Sequence, residues 1–223
     1  MSSRRAAAAV LFDLDGTLVD SAPDLGEAAN ELRLRHGLPP LPLADFRPMT
    51  GTGARGMVDV ALGIGRDDER FPAVRDEYLA LYEARMTRLT RVFDHMAPVL
   101  DALDAAGLPW GIVTNKFTRY AEPVVRACGI ADRSRTLVCG DTTPHAKPHP
   151  EPLFEAARRL AVDPATCVYV GDDHRDVIAG RAAGMATLAA SWGYLGVGES
   201  IDAWGADAVI DHPHEILKFI AMP

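Results

Sequence analysis

The 223-residue chain is short of cysteine, of lysine and of long apolar runs, and each shortage excludes something. Its three cysteines, Cys128, Cys139 and Cys167, are an odd number with no CxxC pair. That argues against a disulfide framework and for a reducing compartment, the cytoplasm by default. No stretch approaches the roughly 20 consecutive apolar residues of a membrane-crossing helix. The opening "MSSRRAAAAVLFDLD" starts like a signal peptide, but its apolar run stops at Asp13 and no small-residue cleavage site follows, so it reads as a first β-strand. Basic residues are outnumbered, 23 to 31, for a formal net charge of -8. A chain of that sign has no general attraction for nucleic acid or anionic lipid. A small anionic substrate then has to be drawn in by local positive groups or by a metal.

Hydrophobic residues make up 48% of the chain, which excludes global disorder. The length suits one large α/β domain, or a core domain with a smaller insert. After the first strand, from about Pro23 to Arg91, helical spacing prevails and no strand stands out. "DLGEAANELRLRHGLPP" has a start signal at Asp24, apolar positions at Leu25, Ala28, Ala29 and Leu32, and a stop at Gly37 and two prolines. "GARGMVDVALGIG" reads as a shorter helix. "DDERFPAVRDEYLALYEARM" carries Phe71, Val74, Tyr78, Leu81 and Tyr82 at helix spacing. From Met96 helices alternate with the short strands "PWGIVTN", "TLVCGD", "CVYVGDD", "MATLAAS" and "DAVID", and the last helix is "HEILKFIAM". Short, continuous apolar strands between helices mark a parallel sheet covered on both faces. The expected fold is therefore α/β: a doubly wound, Rossmann-like parallel sheet from residues 1–20 and 93–223, with an all-helical block, residues 21–92, inserted after the first strand.

Ligands of such sheets sit at the carboxyl ends of the strands, so the polar residues there should make chemical sense together. Asp13 and Asp15, two residues apart on an extended chain, point the same way and repel each other. A divalent cation relieves that repulsion, and hard oxygen donors select Mg²⁺. A solvated pair opening a loop is the plain alternative; Gly16 and Thr17 follow too closely to favour it. An EF-hand loop fails, because its sixth and twelfth positions would be Leu18 and Asp24. The strand "WGIVTN" ends in Thr114 and Asn115, a hydroxyl and an amide able to hold phosphate oxygens without adding charge, although both are also ordinary turn residues. "HAKPHPEPLF" puts Lys147 in a proline-stiffened loop, where a lysine can neutralise a phosphoryl group and a nucleophilic carboxylate together. Of only three lysines, two, Lys116 and Lys147, fall at strand-end loops, and Lys116 has no role beyond nearby charge. "VYVGDDHRD" ends in Asp172, Asp173 and Asp176, which can complete a metal shell, orient Lys147 or cap a helix. Carboxylates, Thr-Asn, Lys and carboxylates in that order fit phosphoryl transfer to an aspartate.

With these residues the sequence resembles the haloacid dehalogenase superfamily. "DLDGT" matches its first motif, Thr114 the second, Lys147 the third, and "GDD" with Asp176 the fourth. The resemblance implies that Asp13 is the nucleophile, forming an aspartyl-phosphate, and that Asp15 is the acid and then the base. It implies Thr114, Asn115 and Lys147 as phosphate-binding residues. Mg²⁺ would be held by Asp13, the backbone carbonyl of Asp15, and Asp172, with Asp173 and Asp176 in support. The helical insert resembles the cap of the phosphoglycolate phosphatase-like branch. Dehalogenases lack the second acid, which this chain keeps. No lysine lies between Pro23 and Arg91, which counts against phosphonoacetaldehyde hydrolysis and ranks a sugar phosphomutase below a phosphatase.

In the insert "TGTGARGMV" resembles a specificity loop, with Arg55 as the residue to meet a substrate carboxylate and Arg47 as a weaker candidate. "PWGIVTNKFTRYAEP", "VGDDHRDVIAGRAAG" and "WGADAVIDHPHEI" look closer to bacterial N-acetylmuramic acid 6-phosphate phosphatases than to generic phosphoglycolate phosphatases. The expected activity is Mg²⁺-dependent hydrolysis of a small phosphate monoester, with no nucleic-acid or membrane partner, by a monomer or homodimer. From a different class, a phospho-aspartate signalling or binding module uses similar residues, but it is about half this length and lacks the insert.

Overall fold

The computed structural model describes residues 5–221. At its centre lie six strands: β1 (Ala9–Phe12), β2 (Trp110–Val113), β3 (Leu137–Val138), β4 (Cys167–Gly171), β5 (Ala186–Ala190) and β6 (Ala208–Ile210). They form one parallel sheet in the order β3-β2-β1-β4-β5-β6. This is a doubly wound order, and its direction reverses at β1, so a crevice opens beyond the carboxyl end of β1, between β2 and β4.

Strand alternation sends neighbouring side chains to opposite faces. Ala9 and Leu11 pack with Val113 and Tyr169 against Leu153 and Ala156 of α6 (Glu151–Leu160) and Ala179 of α7 (His174–Ala182). Val10 and Phe12 pack with Ile112, Val168 and Leu188 on the other face, against Val99, Leu100 and Leu103 of α4 (Ala97–Ala105). This second cluster continues into the helical block, through Leu25, Ala28 and Leu32 of α1 (Ala22–Arg35), Met57 of α2 (Ala54–Leu62) and Tyr78 of α3 (Phe71–Glu83). Helix α5 (Thr118–Ala127) adds Val124 and Val125 to the same side.

The block between β1 and α4 is not wholly helical. Val19–Asp20 and Arg91–Val92 pair antiparallel, so the two connections to the sheet run side by side as a ribbon. Two short helical turns, Leu43–Phe46 and Arg47–Thr52, also lie between α1 and α2.

Asp24 does not start a helix. Helix α1 already begins at Ala22, and Asp24 is fully buried. Its Oδ2 accepts hydrogen bonds from the amides of Leu89 and Thr90, at 2.9 and 2.8 Å, and from the Thr90 hydroxyl at 2.8 Å. The residue that looks like a helix opener ties the outgoing leg of the block to its returning leg.

The last helix is shorter than its apolar pattern suggests. Helix α8 (Glu215–Phe219) stops where fully buried Ile220 turns extended, and Ile220–Ala221 pairs in parallel with Arg5–Ala6. A β-branched residue suits that pairing. Met222 lies outside the described residues. Cys128, Cys139 and Cys167 are free thiols, and no helix among the described residues is long and apolar enough to cross a membrane.

Candidate active site

The crevice at the end of β1 receives one polar segment from each surrounding strand. Asp13 follows β1 directly, and its amide bonds Val170 O of β4 at 2.9 Å. At Gly16 the chain turns with φ +88°, and Thr17 Oγ1 donates to Asp172 Oδ1 at 2.7 Å. A side chain at Gly16 would collide with the Asp172 carboxylate, and one at Gly193 would collide with the same side chain. Two glycines distant in sequence thus leave the space that Asp172 fills. Its second oxygen accepts the Tyr194 amide at 2.8 Å.

Lys147 comes from the loop between β3 and α6 and is almost wholly buried, with 5% exposure. Its Nζ lies 2.9 Å from Asp13 Oδ1 and 2.7 Å from Asp176 Oδ1, and it donates to Val113 O at 2.9 Å and the Tyr169 hydroxyl at 2.8 Å. Asn115 secures the loop: its Oδ1 accepts the Lys147 amide and its Nδ2 donates to the Lys147 carbonyl. Both ends of the Asn115 side chain are therefore engaged with Lys147, and Thr114, 3% exposed at the end of β2, lines the crevice beside it.

Asp176 has its oxygens committed as well, to Lys147 and Tyr169 through Oδ1 and to the Asp173 amide through Oδ2. Asp173 caps α7 in a reciprocal capping box with Asp176. It also takes a two-pronged pair from Arg175, at 2.8 and 2.7 Å. Arg175 reaches on to the carbonyl of Gly51 in the helical block.

Asp15 faces the other wall. Its Oδ1 accepts from Ser21 Oγ and from Lys116 Nζ, the latter at 2.8 Å, and that ammonium lies 4.9 Å from the centre of the Tyr82 ring of α3.

The charges respond to burial. Desolvation pushes the Asp13 carboxyl up to about 7; Lys147 opposes the rise, and Asp176 and Asp15 add to it. Asp172 is pushed well above the carboxylate range by burial and then by Asp13 and Asp176. Burial works against the Lys147 ammonium, but Asp13 and Asp176 overcome it and raise its pKa. Burial also opposes ionised Asp173, and Arg175 more than compensates, holding its carboxyl below the usual range.

This donor set fits a hard divalent cation. Ligand oxygens of Asp13, Asp172 and Asp176 lie within 4.8 Å of one another. Asp13 Oδ1 is buried with no well-directed hydrogen bond, although the Lys147 charge is close. Two buried carboxylates whose protonation is favoured only by crowding and burial are what a cation such as Mg²⁺ would hold ionised.

The two arginines of the helical block, Arg47 and Arg55, stand elsewhere. Arg47 forms a two-pronged pair with Asp20, at 2.6 and 3.2 Å, and stacks over Tyr194. Arg55 is exposed and lines a neighbouring cavity with His174, Trp204 and the Leu195–Glu199 loop; Thr52, Asp173 and Arg175 line both cavities.

Three residues of the site carry no assignment from sequence. Tyr169 hides in an apolar strand. Arg175 sits inside a stretch whose acids draw the attention. The Tyr194 hydroxyl accepts from the amides of Ser21 and Ala22 and donates to Asp20 Oδ1, but a tyrosine in a glycine-rich loop gives no local signal.

Comparison with known proteins agrees with the geometry. The model of the haloacid dehalogenase-like hydrolases matches residues 7–184. The chain is 42% identical over 212 residues to the N-acetylmuramic acid 6-phosphate phosphatase of Pseudomonas aeruginosa, covering 95% of this chain and 94% of that one. It is 43% identical over 216 residues to the phosphoglycolate phosphatase of Xanthomonas campestris pv. campestris, covering 96% and 97%. Among solved structures, that of a predicted phosphoglycolate phosphatase from Haemophilus somnus superposes with a TM-score of 0.83 at 27% identity, covering 95% of this chain and 97% of that one. With the motif residues gathered at one crevice of a doubly wound sheet, the chain belongs to the haloacid dehalogenase-like hydrolases.

Proposed function

We propose that this hydrolase is a Mg²⁺-dependent phosphatase that cleaves a small phosphate monoester through an aspartyl-phosphate on Asp13. The observation that carries this reading is the place of Asp13: a carboxylate at the switch point of the sheet, 2.9 Å from the Lys147 ammonium and within 4.8 Å of the Asp172 carboxylate. Asp13 and Asp172, with the carbonyl of Asp15, would hold the cation. When bound, Mg²⁺ supplies positive charge that favours ionised Asp13 and offsets the charge of the phosphoryl oxygens.

The residues of the chain do the rest. An oxygen of Asp13 attacks phosphorus, and the bond to the alkoxide leaving group breaks. Asp15 gives that oxygen its proton and later takes one from the water that cleaves the acyl-phosphate. Lys147 and the Thr114 hydroxyl hold the phosphoryl oxygens, and Asn115 fixes the lysine loop. Residues 21–92 act as a lid on the core of residues 1–20 and 93–223, and the Val19–Asp20 and Arg91–Val92 ribbon acts as its hinge.

The substrate is a phosphorylated carboxylic acid, 2-phosphoglycolate or N-acetylmuramic acid 6-phosphate. The position of Arg55 favours the larger. In 2-phosphoglycolate one carbon separates the ester oxygen from the carboxylate, whereas Arg55 opens onto a separate cavity beyond the catalytic one. A phosphate-release screen of both compounds and several sugar phosphates at equal concentration tests the choice. Asp13→Asn should abolish release while the protein remains folded; turnover at the wild-type rate in that variant would overturn the mechanism.

A further inference from the structure

We propose that His145, His149 and Glu151 form a second metal site, specific for a borderline transition-metal cation such as Zn²⁺ and separate from the carboxylate site in the crevice. Among the described residues, only two groups of three bring their ligand atoms within 4.8 Å of one another, and this is the one outside the crevice.

The three side chains converge. His145 Nδ1 lies 2.7 Å from Glu151 Oε2, and His149 Nδ1 lies 3.9 Å from the same oxygen. The two imidazoles stack with centroids 4.5 Å apart and planes 29° apart. His149 Nδ1 accepts a long bond, 3.2 Å, from the Glu151 amide, so this nitrogen carries a lone pair rather than a hydrogen. A cation seated there takes the place of the hydrogen between His145 Nδ1 and Glu151 Oε2, which passes to solvent or leaves the imidazole as its Nε2–H tautomer, and displaces that long bond.

The backbone that carries the ligands is fixed beforehand. Thr143 Oγ1 donates to His145 O at 2.8 Å, and the His149 amide donates to Ala146 O at 3.0 Å. Between the two histidines, Lys147 is clasped at both its amide and its carbonyl by Asn115. His149 stands between two prolines, and Glu151 opens α6. A loop ordered in advance spares a ligand set most of the entropy of assembly.

The donors decide which ion is taken. Two imidazole nitrogens and one carboxylate suit Zn²⁺, Cu²⁺, Ni²⁺ or Co²⁺ and suit Mg²⁺ poorly, because Mg²⁺ prefers oxygen alone. The side chains are 63%, 51% and 34% exposed, which leaves the remaining coordination positions to water. The inference does not depend on the proposed phosphatase activity, since it concerns binding at other residues.

The test uses the full chain in excess Mg²⁺, which occupies the carboxylate site. Zn²⁺ binding is followed by calorimetry, and Cu²⁺ binding by electron paramagnetic resonance. One equivalent of Zn²⁺ should bind, and bound Cu²⁺ should show coupling to imidazole nitrogen. His145→Ala and His149→Ala should each weaken binding at least about tenfold, given that loss of even an outer supporting partner costs about that much. Both variants change exposed positions, and their melting curves should match the wild type. The paired variant His212→Ala with His214→Ala, which alters a second stacked histidine pair, should bind Zn²⁺ unchanged. Unaltered affinity in His145→Ala/His149→Ala, loss of binding in the His212/His214 pair instead, or an oxygen-only copper spectrum would each overturn the site.

Discussion

The side-chain amide of Asn115 closes onto the main chain of Lys147 from both sides, with each hydrogen bond 2.9 Å long. The residue just after β2 thereby sets the height at which Lys147, the proposed phosphate-binding lysine, enters the crevice. Asn115→Ala leaves the Lys147 amide and carbonyl without these partners. A displacement of about 1 Å at such a group can cost on the order of a hundredfold in rate. We expect kcat/KM to fall by that order, with a stability loss of about 1–3 kcal/mol from the unpaired main-chain groups. Steady-state kinetics with urea unfolding measures both, and activity within twofold of wild type would show that the loop holds itself.

Lys116 offers a second variant. Its ammonium joins Asp15, the proposed acid, to the face of Tyr82 in the helical block. Lys116→Met removes the charge but keeps much of the apolar stem. Asp15 then retains only the Ser21 hydroxyl as a side-chain partner. A mispositioned acid forfeits part of the roughly 10²–10⁴-fold that proton transfer contributes. kcat should drop at least about tenfold with KM little changed, and Lys116→Arg should recover part of it. A variant that raises KM and spares kcat would assign Lys116 to substrate binding instead.

The sequence reveals some of these residues and hides others, for a physical reason. Asp13, Asp15, Thr114, Lys147 and Asp172 stand at strand ends in short polar segments that interrupt apolar runs, so both their type and their placement are visible along the chain. The parallel pairing of the sheet follows from the same strands, since they alternate with helices, whereas the order of the strands is read only from the structure. Tyr194 and Arg175 act across 173 and 124 residues of separation, and nothing local marks them. Asp24 misleads because an acid near a helix start has an ordinary explanation in the helix dipole, and only the fold shows the Leu89 and Thr90 amides arriving at it. The run "HEILKFIAM" fits helix and strand alike until its partner, Arg5–Ala6, is known.

Asp24 also supports a stability prediction. One carboxylate oxygen takes three donors, and Arg85 Nε approaches the other at 3.8 Å. Asp24→Ala removes the acceptor shared by these partly buried donors, and each group left unpaired costs up to about 1–3 kcal/mol. A total loss of about 3 kcal/mol or more is expected, read as a lower urea midpoint with an unchanged slope. Since Asp24 joins the two legs of the helical block, proteolysis near Leu89 and Thr90 should quicken. A stability loss below about 0.5 kcal/mol would mean that water replaces the carboxylate at little loss.

Asp13 links metal binding to stability. Burial, with Asp176 and Asp15 adding repulsion against the pull of Lys147, lifts its carboxyl from 3.8 to about 7. A group raised on folding stabilises the native state below its unfolded value, and the contribution disappears as pH climbs through the folded value. Chelated protein should therefore lose stability between about pH 4 and pH 7, and Asp13→Asn should lose less across the same window. Mg²⁺ added at the upper end should recover much of that loss, because a ligand at a hundredfold excess over its Kd contributes about 2.7 kcal/mol. For a chain of this length that is a rise in Tm of roughly 5–10 °C. Thermal melts of both proteins in EDTA and then in Mg²⁺ decide the matter. Identical pH profiles for wild type and Asp13→Asn in EDTA would show that Asp13 is not held protonated by its surroundings.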